Sequence, residues 1–129
     1  RPRNTPMTLV DTSSWIHFLR RAGETDVKAR VRALLESGEA VVCPVVLVEL
    51  WMGAGSDKDR ADLRALSALV VALEIDARVW ARAAKVAQLC CAKGTPVPAS
   101  DAIIAACAFV HGAKLEAADH HFALLESFR

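Results

Sequence analysis

Ala40-Val-Val-Cys-Pro-Val-Val-Leu-Val-Glu-Leu-Trp-Met-Gly53 reads as a buried strand followed at once by a helix, and that order decides the fold. The run Ala40–Cys43 is short, apolar and uncharged, as a buried strand is. Pro44 suits the first turn of a helix, where its missing N–H is not needed. The helix from Val45 to about Gly53 is apolar nearly all round, so both of its sides are expected to be buried. One charge interrupts it: Glu49 lies too deep for capping, and no opposite charge stands three or four residues away.

The same alternation extends outward. Upstream, Thr8-Leu-Val10 is a short buried strand ending at Asp11, and Ser13 to Arg21 is a helix with Trp15, Phe18 and Leu19 on one face. A second helix runs from about Asp26 to Glu36, and Gly38 stops it. Downstream, Gly53-Ala-Gly-Ser56 breaks the chain before an amphipathic helix, Asp57 to about Leu69, with Leu63, Leu66 and Leu69 on one side. Val70–Ile75 reads as a strand, and Asp76 caps a long helix that ends near Lys93, before Gly94. After the Thr95-Pro-Val-Pro98 link, Ser100 is expected to cap a helix reaching about Val110. Gly112 ends that helix, Lys114–Ala118 is the last strand, and Asp119 to about Ser127 forms a final helical turn or two. Strands alternating with helices, without a hairpin signal, give an α/β fold whose parallel sheet is covered by helices.

Composition narrows the class. The chain has 129 residues, 53% apolar and 24% charged, which excludes disorder and low-complexity sequence. A formal charge of +1 excludes a polycation, so any nucleic-acid surface is local. No apolar stretch reaches the ~18 residues of a membrane span, and the opening lacks the apolar core of a secretion signal. Residues 1–6 are expected to be a disordered lead or non-native extension, and residues 7–129 one domain, cytoplasmic in location. Cys43, Cys90, Cys91 and Cys107 form no CxxC pair and are expected to be reduced and buried.

In such sheets the functional crevice lies beyond the carboxyl ends of the strands. Four acids belong there: Asp11 after the first strand, Glu49 one turn into the helix after the second, Asp101 opening the helix after the Pro-Val-Pro link, and Asp119 after the last strand. No Lys, Arg or His lies between Arg3 and His17, between Arg32 and Lys58, or between Lys93 and His111. Taken singly, Asp11, Asp101 and Asp119 could be helix-capping or first-turn acids, but Glu49 could not. An unpaired buried carboxylate costs several kcal/mol, so these groups need a cation, a proton or a metal. Converged, they would suit a divalent ion with a taste for oxygen, Mg²⁺ or Mn²⁺.

Met7-Thr-Leu-Val-Asp-Thr-Ser-Ser-Trp-Ile16, Pro44–Gly53, Ser100-Asp-Ala-Ile-Ile-Ala-Ala106 and Ala118-Asp-His-His-Phe122 together resemble the PIN-domain family and, more narrowly, the VapC toxins of bacterial type II toxin–antitoxin pairs. The likeness runs from Met7 to the C-terminus, with four motifs in order. It implies a three-layer α/β/α fold with a parallel sheet of about four or five strands. It also implies an Mg²⁺- or Mn²⁺-dependent endoribonuclease acting on tRNA or rRNA, a homodimer, and a small VapB-like antitoxin as partner. The acidic quartet falls on Asp11, Glu49, Asp101 and Asp119, with the hydroxyl position after the first acid on Thr12 or Ser13. Many members carry a further acid where this chain has His121, and Thr, Ser or Asn where it has Ala117. Four carboxylates are therefore expected rather than five, with His121 mainly solvated and a metal or phosphate contact as its other role.

A receiver-like domain would show paired acids after the first strand, and a phosphoaspartyl phosphatase an acid at Ser13; neither is present. The remaining alternative is a non-catalytic PIN-like module that binds RNA or protein. The basic groups Arg20, Arg21, Lys28, Arg30 and Arg32, and Arg78, Arg82 and Lys85, are expected to be solvated helix faces, with RNA binding by one of them as the other reading. Trp15, Phe18, Trp51 and Met52 are expected to line an apolar groove for the partner, with a core role as the plainer reading.

Overall fold

A computed structural model describes residues 6–129; residues 1–5 of the expected lead lie outside the described residues. Strands β1 (Thr8–Val10), β2 (Ala40–Val42), β3 (Val71–Ala72) and β4 (Lys114–Glu116) form one sheet in the order β3-β2-β1-β4. All three pairings are parallel, and Leu9 at the centre stands opposite Val41 on one side and Leu115 on the other. Every residue of β1 and β2 is buried. Consecutive side chains point to opposite faces, so both faces of the central strands are covered, as parallel sheets require.

The cover comes from seven helices among the described residues: α1 (Thr12–Leu19), α2 (Thr25–Glu36), α3 (Pro44–Met52), α4 (Asp57–Leu69), α5 (Ala77–Ala92), α6 (Ala99–His111) and α7 (His121–Glu126). Helix α5 buries Val79, Ala83, Val86 and Cys90, a spacing of four, three and four that makes one continuous stripe. It packs on α6, where every residue from Ile104 to Phe109 is buried and alanines let the backbones approach. Asp76 caps α5 by accepting from the N–H groups of Arg78 and Val79. Gly94 (φ +75°) and Gly112 (φ +67°) follow α5 and α6 in the left-handed region, where a side chain would be strained.

Several expectations are corrected. The strand expected over Val70–Ile75 shrinks to Val71–Ala72, an exposed edge with a partner on one side only. Helix α3 is not buried on both sides: Val48 is 59% and Met52 81% exposed. Leu69 faces solvent rather than joining Leu63 and Leu66, and Cys91 is exposed while the other three cysteines are buried; all four are free thiols. Ser100 does not cap α6, which begins at Ala99 behind Pro98 with no side-chain cap. Trp15 is fully buried in the core, with its ring edge-on to Phe18.

The chain leaves β1 toward β2 on one side, and β4 returns on the other. This reversal of strand order opens a crevice beside the carboxyl end of β1.

Candidate active site

Asp11 is the residue at which β1 ends and α1 begins. Its N–H donates to the Glu116 carbonyl of β4 (2.9 Å), and its carboxylate caps α1, accepting from the Ser13 hydroxyl (2.8 Å) and N–H (3.4 Å). The Ser13 oxygen in turn accepts from the Ala118 N–H at 3.3 Å, so one hydroxyl ties the first acid to the segment leading to the last. Thr12, the first residue of α1, donates its hydroxyl to Glu49 Oε1 at 2.7 Å. That bond crosses from α1 to α3 and explains how an acid inside an apolar helix is held.

Asp101, near the start of α6, accepts from or shares a proton with His121 Nδ1 at 2.9 Å. The same nitrogen lies 3.1 Å from Asp119 Oδ1. Asp119 also accepts from the His121 N–H at 2.9 Å, which seats the ring at the start of α7. The His120 ring lies tilted against that of His121, with centroids 4.5 Å apart and planes at 49°. Asp119, His120 and His121 bring one ligand atom each within 4.8 Å of one another.

Electrostatics connects the two sets. Burial pushes the Asp11 carboxyl above its ordinary value, opposed by the bonds from Ser13 and Thr12 and reinforced by the charge of Asp101. Asp101 is likewise raised, chiefly by burial; His121 pulls it down, and the charges of Asp119 and Glu49 push it up. Among the described residues, no lysine or arginine stands within ion-pair distance of any of the four acids. The charge of Asp101 thus acts with those of Asp11, Glu49 and Asp119, and no lysine or arginine among the described residues is paired with any of the four. This donor set of hard oxygens fits a divalent cation, whose charge would offset the desolvation that raises Asp11 and Asp101.

The PIN domain family model matches residues 8–126, nearly the whole described chain. The chain belongs to the PIN-domain family. Ribonuclease VapC11 of Mycobacterium tuberculosis and VapC ribonuclease Mb1587 of Mycobacterium bovis are each 31% identical to it over 120 residues, 90% of this chain and 89% of theirs. Among solved structures, VapBC-1 of nontypeable Haemophilus influenzae has a TM-score of 0.75 at 21% identity, covering 94% of this PIN domain and 92% of that chain. VapBC2 of Rickettsia felis, bound to a promoter DNA fragment, has a TM-score of 0.72 at 14% identity, covering 88% and 99%. These structural likenesses establish the fold.

Three features of this PIN domain differ from the sequence reading. His121, expected to be solvated, is wedged between Asp101 and Asp119, and its own N–H donates to the Asp119 carboxylate beside which the ring lies. Glu116, not singled out at all, is largely buried and paired with Arg30 Nε at 2.9 Å, with Ser14 donating at 3.4 Å. Arg30 is therefore an anchor between α2 and β4 rather than part of a free basic face. Of the residues expected to form the partner groove, Trp15 is corrected, being fully buried. The cleft beside Glu49 is lined by Ile16, Leu19, Leu50, Gly53 and Leu63, together with Arg20, Asp59 and Asp62. Trp15 is core, and Phe18, Trp51 and Met52 do not line that cleft.

Proposed function

We propose that this protein is a ribonuclease toxin of the VapC kind, hydrolysing phosphodiester bonds in RNA with Mg²⁺ or Mn²⁺. The observation that carries the reading is the mutual influence of Asp11, Glu49, Asp101 and Asp119 with no lysine or arginine paired to them, and the 31% identical ribonucleases support it. Asp11 and Asp101, the two buried acids, would hold the ion, with Glu49 and Asp119 completing its surroundings from the solvent side. When bound, such an ion polarises a phosphate and makes a water acidic enough to attack at neutral pH.

The protein's own residues do the positioning. The Thr12 hydroxyl fixes one oxygen of Glu49. Ser13 holds Asp11 in register with the Asp119 segment. In hydrolysis the water oxygen joins phosphorus, the bridging ester oxygen leaves and takes a proton, and a half-exposed carboxylate, Glu49 or Asp119, accepts the proton the water gives up.

The resemblance further supports tRNA or rRNA as substrate, a cytoplasmic location, a homodimer and a VapB-like antitoxin. No helix among the described residues is long and apolar enough to cross a membrane. The exposed Val71 and Leu69 at the β3 edge, and Trp80, supply apolar surface for a second copy to cover. The antitoxin would lay an apolar segment over Ile16, Leu19 and Leu50 and bring a basic side chain toward Glu49. Purified protein incubated with total RNA and Mg²⁺ or Mn²⁺ tests the reading. Discrete cuts that vanish with chelator and in folded Asp101→Asn support it; the same cuts from Asp101→Asn refute it.

A further inference from the structure

We propose that His121 is a nitrogen ligand of the divalent ion and determines which ion the site prefers, Mn²⁺ over Mg²⁺. The inference rests on the metal-dependent nuclease reading above and adds a residue and a selectivity to it.

The geometry is specific to one atom. Two carboxylates from different elements, Asp101 on α6 and Asp119 before α7, approach the same imidazole nitrogen at 2.9 Å and 3.1 Å. A hydrogen bond to either would orient the ring; contact with both places Nδ1 between the two acids, and His121 with Asp119 belongs to a group whose ligand atoms lie within 4.8 Å of one another. The separations also match the edge between adjacent ligands of an octahedral ion, about 3.0 Å for bonds of about 2.1 Å. His121 is held there by its own backbone, whose N–H bonds Asp119. His120, by contrast, is 91% exposed, and its nearest nitrogen stands 3.8 Å from Asp119.

The chemistry follows from the donor. Mg²⁺ demands oxygen and gives up its waters reluctantly, so replacing one oxygen ligand by imidazole weakens it. Mn²⁺ accepts oxygen and is the softer of the two toward nitrogen, so it loses less or gains. A site with three or four carboxylates and one imidazole therefore discriminates between ions that an all-carboxylate site treats more alike.

The test uses purified protein without RNA and Mn²⁺ as the probe. Pulsed electron paramagnetic resonance on bound Mn²⁺ should show coupling to a nitrogen nucleus in the native chain and in His120→Gln, and none in His121→Gln or His121→Asp. By calorimetry, His121→Gln should bind Mn²⁺ about tenfold or more weakly, while Mg²⁺ changes by less than about threefold. His121→Asp should shift the preference back toward Mg²⁺, which also shows that the position tolerates substitution. Bound Mn²⁺ without nitrogen coupling, or coupling lost in His120→Gln instead, overturns the assignment while leaving the metal site standing. Failure of the native chain to bind Mn²⁺ at all overturns both.

Discussion

The acids of the crevice fall into two pairs held by different means. On the α1 side, Asp11 and Glu49 are fixed by the hydroxyls of Ser13 and Thr12, the first two residues of one helix. On the α6–α7 side, Asp101 and Asp119 share an imidazole. A hydroxyl orients a carboxylate without cancelling its charge, whereas an imidazole can donate a proton, carry a charge or offer a lone pair. One pair is a fixed frame; the other has chemistry of its own.

The harshest way to break this comparison is to remove charge from each pair in turn. Asp11→Asn and Asp101→Asn should each lower RNA cleavage by about a thousandfold or more, since the ion they are proposed to hold would be worth several kcal/mol to the transition state. Equal losses measured in single-turnover cleavage make the pairs equivalent toward the ion; a mild loss for either would take that acid out of the metal set.

Smaller effects should separate the pairs. Thr12→Val removes the donor that aims Glu49 and should cost about ten- to a hundredfold in kcat with little change in melting temperature. Ser13→Ala breaks the bond to Asp11 and the one from Ala118, so it should lower both kcat and stability, the latter by about 1 kcal/mol. If Thr12→Val is silent, the α1 side is a frame for Asp11 alone.

Acid–base linkage sharpens the contrast further. Asp11 and Asp101 hold their protons more tightly in the folded chain than at the ordinary carboxylate value of 3.8. Their contribution to stability is therefore complete below that value and is lost as pH rises through their raised values. Metal-free protein should melt higher as pH falls from neutrality through these raised values toward 3.8, and replacing both by Asn should flatten that profile. A profile that is unchanged in the double variant would contradict the burial of these two charges. The smallest effect belongs away from the crevice: Arg30→Ala, whose side chain is half exposed, should destabilise by no more than about 1 kcal/mol in urea unfolding.

The order of elements was legible because each buried run ended in an acid, a proline or a glycine that local chemistry can interpret. Asp11, Glu49, Asp101 and Asp119 stood out because stretches of sequence around them held no cation. What stayed hidden depended on contacts distant in the chain. Arg30 and Glu116 are 86 residues apart, and nothing near either marks the other. Trp15 and Trp51 are the same residue type in similar surroundings, yet one is core and the other 38% exposed, because only tertiary packing decides which helix face is covered. His121 had one local signal, its place two residues after Asp119, where an aspartate accepts from the N–H two residues on and keeps that residue close.

The tight seating of α5 against α6 has a consequence for motion. Asp101 rides on the most thoroughly buried helix of the chain, whereas Asp119 rides on a turn that leads into a short terminal helix. Amide hydrogens of Ile104–Phe109 should exchange with solvent only on global unfolding, and those around His120 through far smaller openings. Breathing of the chain's last dozen or so residues would then carry Asp119 and His121 away from Asp101 while the rest stays folded, and hydrogen-exchange mass spectrometry would detect it as fast labelling confined to that segment. The crevice would thus be assembled and dispersed by a small part of the molecule, without the sheet beneath it taking part.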